Sequence, residues 1–153
     1  MTADISFDSF SEAETVRFAR ALAAVASSGD AFALQGTLGM GKSVLARAFI
    51  QYFVGPVEVP SPTFTLVQSY EAPDFEIFHF DLYRLKKAEE IFEIGVEEAL
   101  YNGVSLIEWP EMMGAYLPRQ IIKICIEPNG EGRRITLTAP LAEQKRRFAE
   151  IKL

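Results

Sequence analysis

The sequence predicts a single α/β domain spanning residues 1–153, built on a mixed sheet that is parallel at its centre, antiparallel at its edges and flanked by helices. Three observations carry that expectation. Gly36-Thr37-Leu38-Gly39-Met40-Gly41-Lys42-Ser43 fits the pattern G-x-x-x-x-G-K-[ST] at every fixed position, between a strand-like apolar run and a helix-like one. A second short apolar run, 104–107, ends directly in Glu108, as a buried parallel strand would. Two pairs of segments are joined by turn residues, which makes antiparallel hairpins.

The elements follow in order. Ser11-Glu12-Ala13-Glu14 has the form of a capping box, in which the serine accepts from the first turn while Glu14 reaches back, so an alanine-rich amphipathic helix should run to about Ser27. Gly29-Asp30 then turns the chain. Residues 31–35 read as a buried strand entering the glycine-rich loop, and 43–50 as a helix leaving it, ending near Gly55-Pro56. Pro60-Ser61-Pro62-Thr63 excludes regular helix and marks an ordered or switching loop. Residues 65–70 and 75–81 show partial two-residue alternation around Ala72-Pro73-Asp74, a hairpin. Residues 88–100 predict a helix interrupted at Gly95, and Gly103 precedes the buried strand 104–107. Residues 121–127 and 134–139 form a second hairpin around Pro128-Asn129-Gly130-Glu131-Gly132, where Asn-Gly is the turn signal. A helix over 141–151 closes the chain. There is no internal repeat, linker or low-complexity segment.

Composition bounds the function. A chain of 153 residues with 49% hydrophobic content can bury about two thirds of its unfolded surface around one core. No apolar run approaches the roughly 18 residues that cross a bilayer, and the N-terminus lacks signal-peptide character, so the expected location is the cytosol. The single cysteine, Cys125, sits in an apolar run where it forms no internal disulfide and should pack as a small hydrophobe. A net charge of −6 and a pI near 4.9 argue against broad, autonomous binding to a nucleic-acid backbone. Any RNA contact should be local or shared with a partner.

The glycine-rich loop points to a nucleoside triphosphate. Its glycines let backbone N–H groups curl around a polyphosphate, Lys42 reaches the β and γ oxygens, and the Ser43 hydroxyl ligates magnesium. Magnesium also needs an acid at the end of a neighbouring strand. Glu108 is the better positional match, although aspartate is more usual there; its longer side chain reaches the metal itself or positions water. Asp81 is the second candidate, with three roles open: binding the metal through water, orienting the nucleophile, or capping the Leu82-Tyr83-Arg84 turn. Thr63, in Ser61-Pro62-Thr63-Phe64, offers a hydroxyl to sense the γ-phosphate or its magnesium, or belongs to a rigid turn. Arg84 suits developing phosphoryl charge or a surface salt bridge. His79 reads as a hydrogen-bonded structural residue, Trp109 as a core plug or a stacking surface, and Lys145-Arg146-Arg147 as a solvated helix face or a contact for an acidic partner or RNA.

Taken together, the loop from Gly36 to Ser43, Ser61-Pro62-Thr63-Phe64, His79-Phe80-Asp81-Leu82-Tyr83-Arg84 and Ile107-Glu108-Trp109-Pro110-Glu111 resemble, in order and spacing, the bacterial TsaE (YjeE) family. The resemblance spans about residues 5–140. It implies a small P-loop ATPase required for N6-threonylcarbamoyladenosine in tRNA, acting with the TsaD and TsaB proteins. TsaD is the transferase of that system, and ATP hydrolysis by TsaE resets the complex between turnovers. On this resemblance Lys42 and the loop hold ATP, Ser43 and Glu108 address Mg²⁺, Asp81 supports hydrolysis, and Thr63 belongs to a nucleotide-responsive loop. tRNA would be met indirectly, through the complex, and no membrane is involved. Two other functions share the loop: a small-molecule kinase, although no arginine-rich lid insertion is evident, and a nonhydrolysing nucleotide-dependent scaffold. A regulatory GTPase would carry Asn/Thr-Lys-x-Asp, and no such tetrapeptide occurs.

Overall fold

The computed structural model describes residues 4–36 and 41–153. From the N-terminus the chain forms β1 (Ile5–Ser9), α1 (Glu12–Val25), β2 (Ala31–Gln35), α2 (Lys42–Val54), β3 (Val67–Glu71), β4 (Glu76–Asp81), a 3-10 helix over Ala88–Phe92, α3 (Val96–Asn102), β5 (Gly103–Glu108), a second 3-10 segment over Pro110–Tyr116, β6 (Ile122–Asn129), β7 (Gly132–Thr138) and α4 (Ala142–Phe148). All seven strands join one sheet in the order β1-β7-β6-β2-β5-β4-β3. β6, β2, β5 and β4 run parallel, while β3 pairs antiparallel with β4, and β7 antiparallel with both β6 and β1. The expected parallel centre with antiparallel edges is therefore the observed fold.

Strand alternation divides the core in two. Phe32 and Leu34 of β2, Leu106 of β5 and Ile122 and Ile124 of β6 meet Phe18 and Leu22 of α1, Leu45 and Phe49 of α2 and Phe148 of α4. Phe32 sits at the centre, its ring edge-on to Phe49 at 5.6 Å and to Phe148 at 6.0 Å. On the opposite face Ala31, Ala33, Phe80 and Ile107 lie under Leu82, Leu85, Ile91, Val96 and Met113. Because β2 is buried on both faces, it reads in the sequence as an unbroken apolar run.

Several elements differ in detail from the sequence expectation. β1 is unannounced: a five-residue edge strand whose Ile5 and Phe7 face the core carries too little pattern to separate it from a loop. Ser11 Oγ accepts from the Glu14 N–H at 3.1 Å as expected, but Glu14 Oε1 accepts from Phe10 N–H at 2.8 Å, one residue before the cap. Residues 88–100 are interrupted at Gly95, at φ +79°, as expected, but the segment before it is a 3-10 turn and only the one after it is α-helical. In the β6–β7 hairpin the strands run on to Asn129 and Gly132, so the turn centres on Gly130-Glu131 and not on Asn129-Gly130. Gly130 alone has positive φ (+61°), the pattern of a II′ turn, and the Asn129 amide is freed to donate to Asp8 at 3.0 Å.

The basic cluster of α4 is mostly structural. Arg147 donates two bonds to the Asp30 carboxylate at 2.6 and 2.9 Å and one to the Val25 carbonyl at 3.0 Å. The Asp30 carboxylate, then Glu143, push its guanidinium pKa further up. Lys145 pairs with Asp4 at 3.0 Å, and Arg146 is the member of the cluster that faces solvent. α4 ends at Phe148 rather than near 151. Cys125 is half-buried, and burial, followed by the neighbouring Glu127, pushes its thiol pKa up, away from thiolate reactivity.

Candidate functional site

Parallel pairing sets the site. β2, β5 and β4 end together: Leu34 lies beside Glu108, and Glu108 beside Asp81. Such a crevice outside the carboxyl ends of parallel strands is where open α/β sheets place ligands. β2 delivers Gly36 to this edge, and the chain returns at Gly41, whose φ of +98° is a left-handed value suited to glycine, to start α2. The intervening Thr37, Leu38, Gly39 and Met40 lie outside the described residues.

Lys42 opens α2 and is only 5% exposed. Among the described residues no carboxylate lies within ion-pair distance of it; its Nζ sits 4.3 Å from the centroid of the Trp109 ring. Trp109 follows Glu108 with a left-handed backbone (φ +60°) and leans on Tyr83 at 4.9 Å. The ring is half-buried and packs against the core cluster of Phe80 and Ile107, in line with the core reading of this residue. Ser43, the next residue of α2, is exposed.

The two acids are buried at 6% exposure each. Alternation along β4 and β5 turns Ile77, His79 and Asp81, and Val104, Leu106 and Glu108, toward the α2 side. Glu108 Oε2 meets His79 Nε2 at 2.7 Å. Asp81 accepts from the Thr63 hydroxyl at 3.1 Å with one oxygen and from the Tyr83 N–H at 3.1 Å with the other. It therefore caps the following turn and holds the 61–65 loop at once. That loop is an ordered turn: Leu66 N–H donates to the Pro62 carbonyl at 2.7 Å, and Asp81 N–H donates to the Leu66 carbonyl at 3.0 Å. The Ser61 and Thr63 hydroxyls lie 2.7 Å apart. Phe64 projects outward at 80% exposure, and Arg84 stacks on it at 4.4 Å in place of a salt bridge.

The structure thus gathers Lys42, Thr63, Asp81, Glu108 and Trp109 at one edge, with Gly36 and Gly41 bounding the loop. On the other side of the α2 start lies a cavity of about 220 Å³ lined by Phe10, Ser11, Gly41, Val44, Gly132 and Arg133, among others. Apart from Gly41 in the loop and Ser11 as a helix cap, the sequence did not single these out. Phe10 precedes a capping serine, where an apolar residue ordinarily reads as a helix staple, and the β7 residues arrive only through the antiparallel flank. Among the described residues no three His, Cys, Asp or Glu side chains cluster to form a metal cage. The oxygen donors at the strand ends are hard and few, a set that suits magnesium sharing its ligands with phosphate and water and does not suit zinc.

A family profile described as threonylcarbamoyl adenosine biosynthesis protein TsaE matches residues 9–136. The chain belongs to the TsaE family. It is 44% identical over 126 residues to a tRNA threonylcarbamoyladenosine biosynthesis protein TsaE of Rickettsia bellii, covering 82% of this chain and 88% of that one. It is 34% identical over 128 residues to the protein of the same name from Bacillus subtilis, covering 82% and 80%. The crystal structure of Bacillus subtilis YdiB superimposes with a TM-score of 0.79 at 27% identity, over 96% of this chain and 93% of that one. The TsaE match and the shared architecture identify the fold as P-loop type.

Proposed function

We propose that this chain is a magnesium-dependent ATPase of tRNA N6-threonylcarbamoyladenosine synthesis, working in the cytosol in complex with TsaD and TsaB and sustaining their repeated turnover. Family membership supports the pathway. The observation that carries the chemistry is the alignment of Asp81 and Glu108 on adjacent parallel strand ends beside Lys42, a buried cation with no carboxylate partner among the described residues. A buried ammonium whose partner among the described residues is an aromatic ring gains most from an anion, and a polyphosphate supplies one.

In this reading the loop from Gly36 to Ser43 cradles the phosphates, Lys42 leaves the Trp109 ring for the β and γ oxygens, and the cavity beside Gly41 receives the nucleoside. Ser43 and Glu108 would hold magnesium, which when bound neutralises phosphate charge and polarises the γ-phosphoryl group. Asp81 keeps the Thr63 hydroxyl aimed at the same edge, so a change in γ-phosphate occupancy reaches the 61–65 loop through one hydrogen bond. No described helix is long and apolar enough to cross a membrane, and tRNA is met through the complex.

The test is reconstitution. With TsaD and TsaB, tRNA threonylcarbamoylation should pass from a single turnover to many when this chain and Mg-ATP are added, with phosphate release in step. Phosphoryl transfer to a small acceptor would favour a kinase, and multiple turnover with a nonhydrolysable ATP analogue would favour a scaffold.

A further inference from the structure

Glu108 stands where aspartate is more usual, and the extra methylene gives its carboxylate one more torsion to fix. The structure supplies the fixing group. His79 lies two residues before Asp81 on the same face of β4, is 3% exposed, and places Nε2 at 2.7 Å from Glu108 Oε2. Its Nδ1 is buried with no hydrogen-bond partner among the described residues. A proton on Nδ1 would leave a buried N–H unpaired and set the bare Nε2 lone pair against carboxylate oxygen. A proton on Nε2 donates to Glu108 and leaves only a lone pair unmatched, the cheaper omission.

We infer that His79 is a positioning residue: its Nε2–H ties down one oxygen of Glu108 and so presents the other toward the metal edge of the strand ends. This rests on the magnesium-dependent ATPase reading given above. Groups that orient a metal-binding side chain without touching the metal commonly carry about a 10- to 100-fold effect on affinity or activity. The tether also converts a flexible glutamate into a group as well placed as the shorter acid, at the cost of one buried imidazole.

The experiment compares His79→Asn with His79→Gln in the full chain. The glutamine amide nitrogen falls where Nε2 was, whereas that of asparagine falls near Nδ1 and misses Glu108. ATP affinity is measured by calorimetry with excess chelator and with magnesium, and the magnesium concentration for half-maximal hydrolysis is measured with TsaD and TsaB. His79→Asn should leave the metal-free ATP affinity unchanged, lose about tenfold of the gain that magnesium confers, and need about tenfold more magnesium for hydrolysis. His79→Gln should restore both to within about twofold, and in a Glu108→Gln background His79→Asn should add nothing. Wild-type magnesium dependence in His79→Asn would overturn the inference. Equal damage in the two variants, to folding or to metal-free binding, would overturn it too, because packing alone would then explain His79. A wild-type chain that gains no ATP affinity from magnesium would overturn the ATPase reading itself, an outcome distinct from either.

Discussion

The two ends of β2 handle buried charge in opposite ways. At its start, Asp30 is 4% exposed and saturated, with a bidentate bond from Arg147 and another at 2.9 Å from the Ser27 N–H. At its far end Lys42, Asp81 and Glu108 are equally buried, yet their partners are an aromatic ring, a hydroxyl, a backbone N–H and an imidazole. A buried charge without its counter-charge costs stability, and folding alone would remove it. One end therefore closes the fold by pinning α4 to the sheet. The other, among the described residues, holds its charges incompletely matched, a state suited to a ligand that brings both signs, as polyphosphate with magnesium would.

Substitutions that exchange the two behaviours test this difference. The largest effect is expected of Glu108→Gln, which keeps shape and the His79 contact but removes the anionic oxygen: partner-stimulated hydrolysis should fall by about 10²- to 10³-fold with ATP affinity largely kept. Asp81→Asn should act in the same direction more weakly. Normal hydrolysis by Glu108→Gln in a phosphate-release assay would transfer the primary role to Asp81. At the other end, Arg147→Ala strands the Asp30 carboxylate and should lower unfolding stability by about 3 kcal/mol in urea melts, without changing ATP affinity in the folded protein. Coupled losses in both would break the division.

Lys42→Ala comes next. Removing the cation should weaken ATP binding by about 10- to 100-fold, while thermal stability stays level or rises because a buried charge without a carboxylate is gone. Trp109, the only tryptophan, should report it: in the wild type, ATP should draw Lys42 off the indole and change its fluorescence, and in the variant that change should shrink. Thr63→Ala removes a single hydroxyl bond to Asp81, an effect of about 1 kcal/mol. It should narrow the difference in TsaB–TsaD affinity between the ADP state and the ATP-analogue state by about fivefold, and a ligand shifts loop and partner only through such differential binding. Equal partner affinities in all nucleotide states of the wild type would remove the switch.

The far end of β2 was legible in the sequence because its residues carry special chemistry at fixed spacing. Gly41-Lys42-Ser43, Asp81 and Glu108 each end or begin a strongly apolar element, and parallel pairing of such elements brings their ends together. The near end was not. Nothing local in Arg147 distinguishes it from Arg146; only the packing of Phe148 on Phe32 turns one toward Asp30 and the other to solvent. The same holds for β1, whose identity rests on pairing with β7, and for the cavity beside Gly41, which exists only once that antiparallel flank is in place. His79 was legible as a hydrogen-bonded residue, but its partner, 29 positions away, follows from the β4–β5 pairing.

The smallest expected effect lies at the exposed rim of the stabilising flank, where Asp4 meets the Ala139 N–H at 2.8 Å and the Lys145 ammonium at 3.0 Å. The Ala139 bond, the largest influence, together with the Lys145 ammonium holds the Asp4 carboxyl below the usual aspartate range against the opposing effect of burial. The native state thus binds fewer protons than the unfolded chain between the two pKa values. The contribution is complete above the unfolded pKa and is lost as pH falls through the folded one. Asp4→Asn retains an acceptor for Ala139 and deletes only the charge. It should melt about 2 °C below wild type near pH 7, and the gap should narrow as the solution is acidified below the unfolded pKa and close only once pH has passed the lowered folded one, where both side chains are neutral. A gap that stays constant over that range would show that shape, and not charge, makes the contact, and that the flank depends on ion pairing only where burial enforces it, at Asp30.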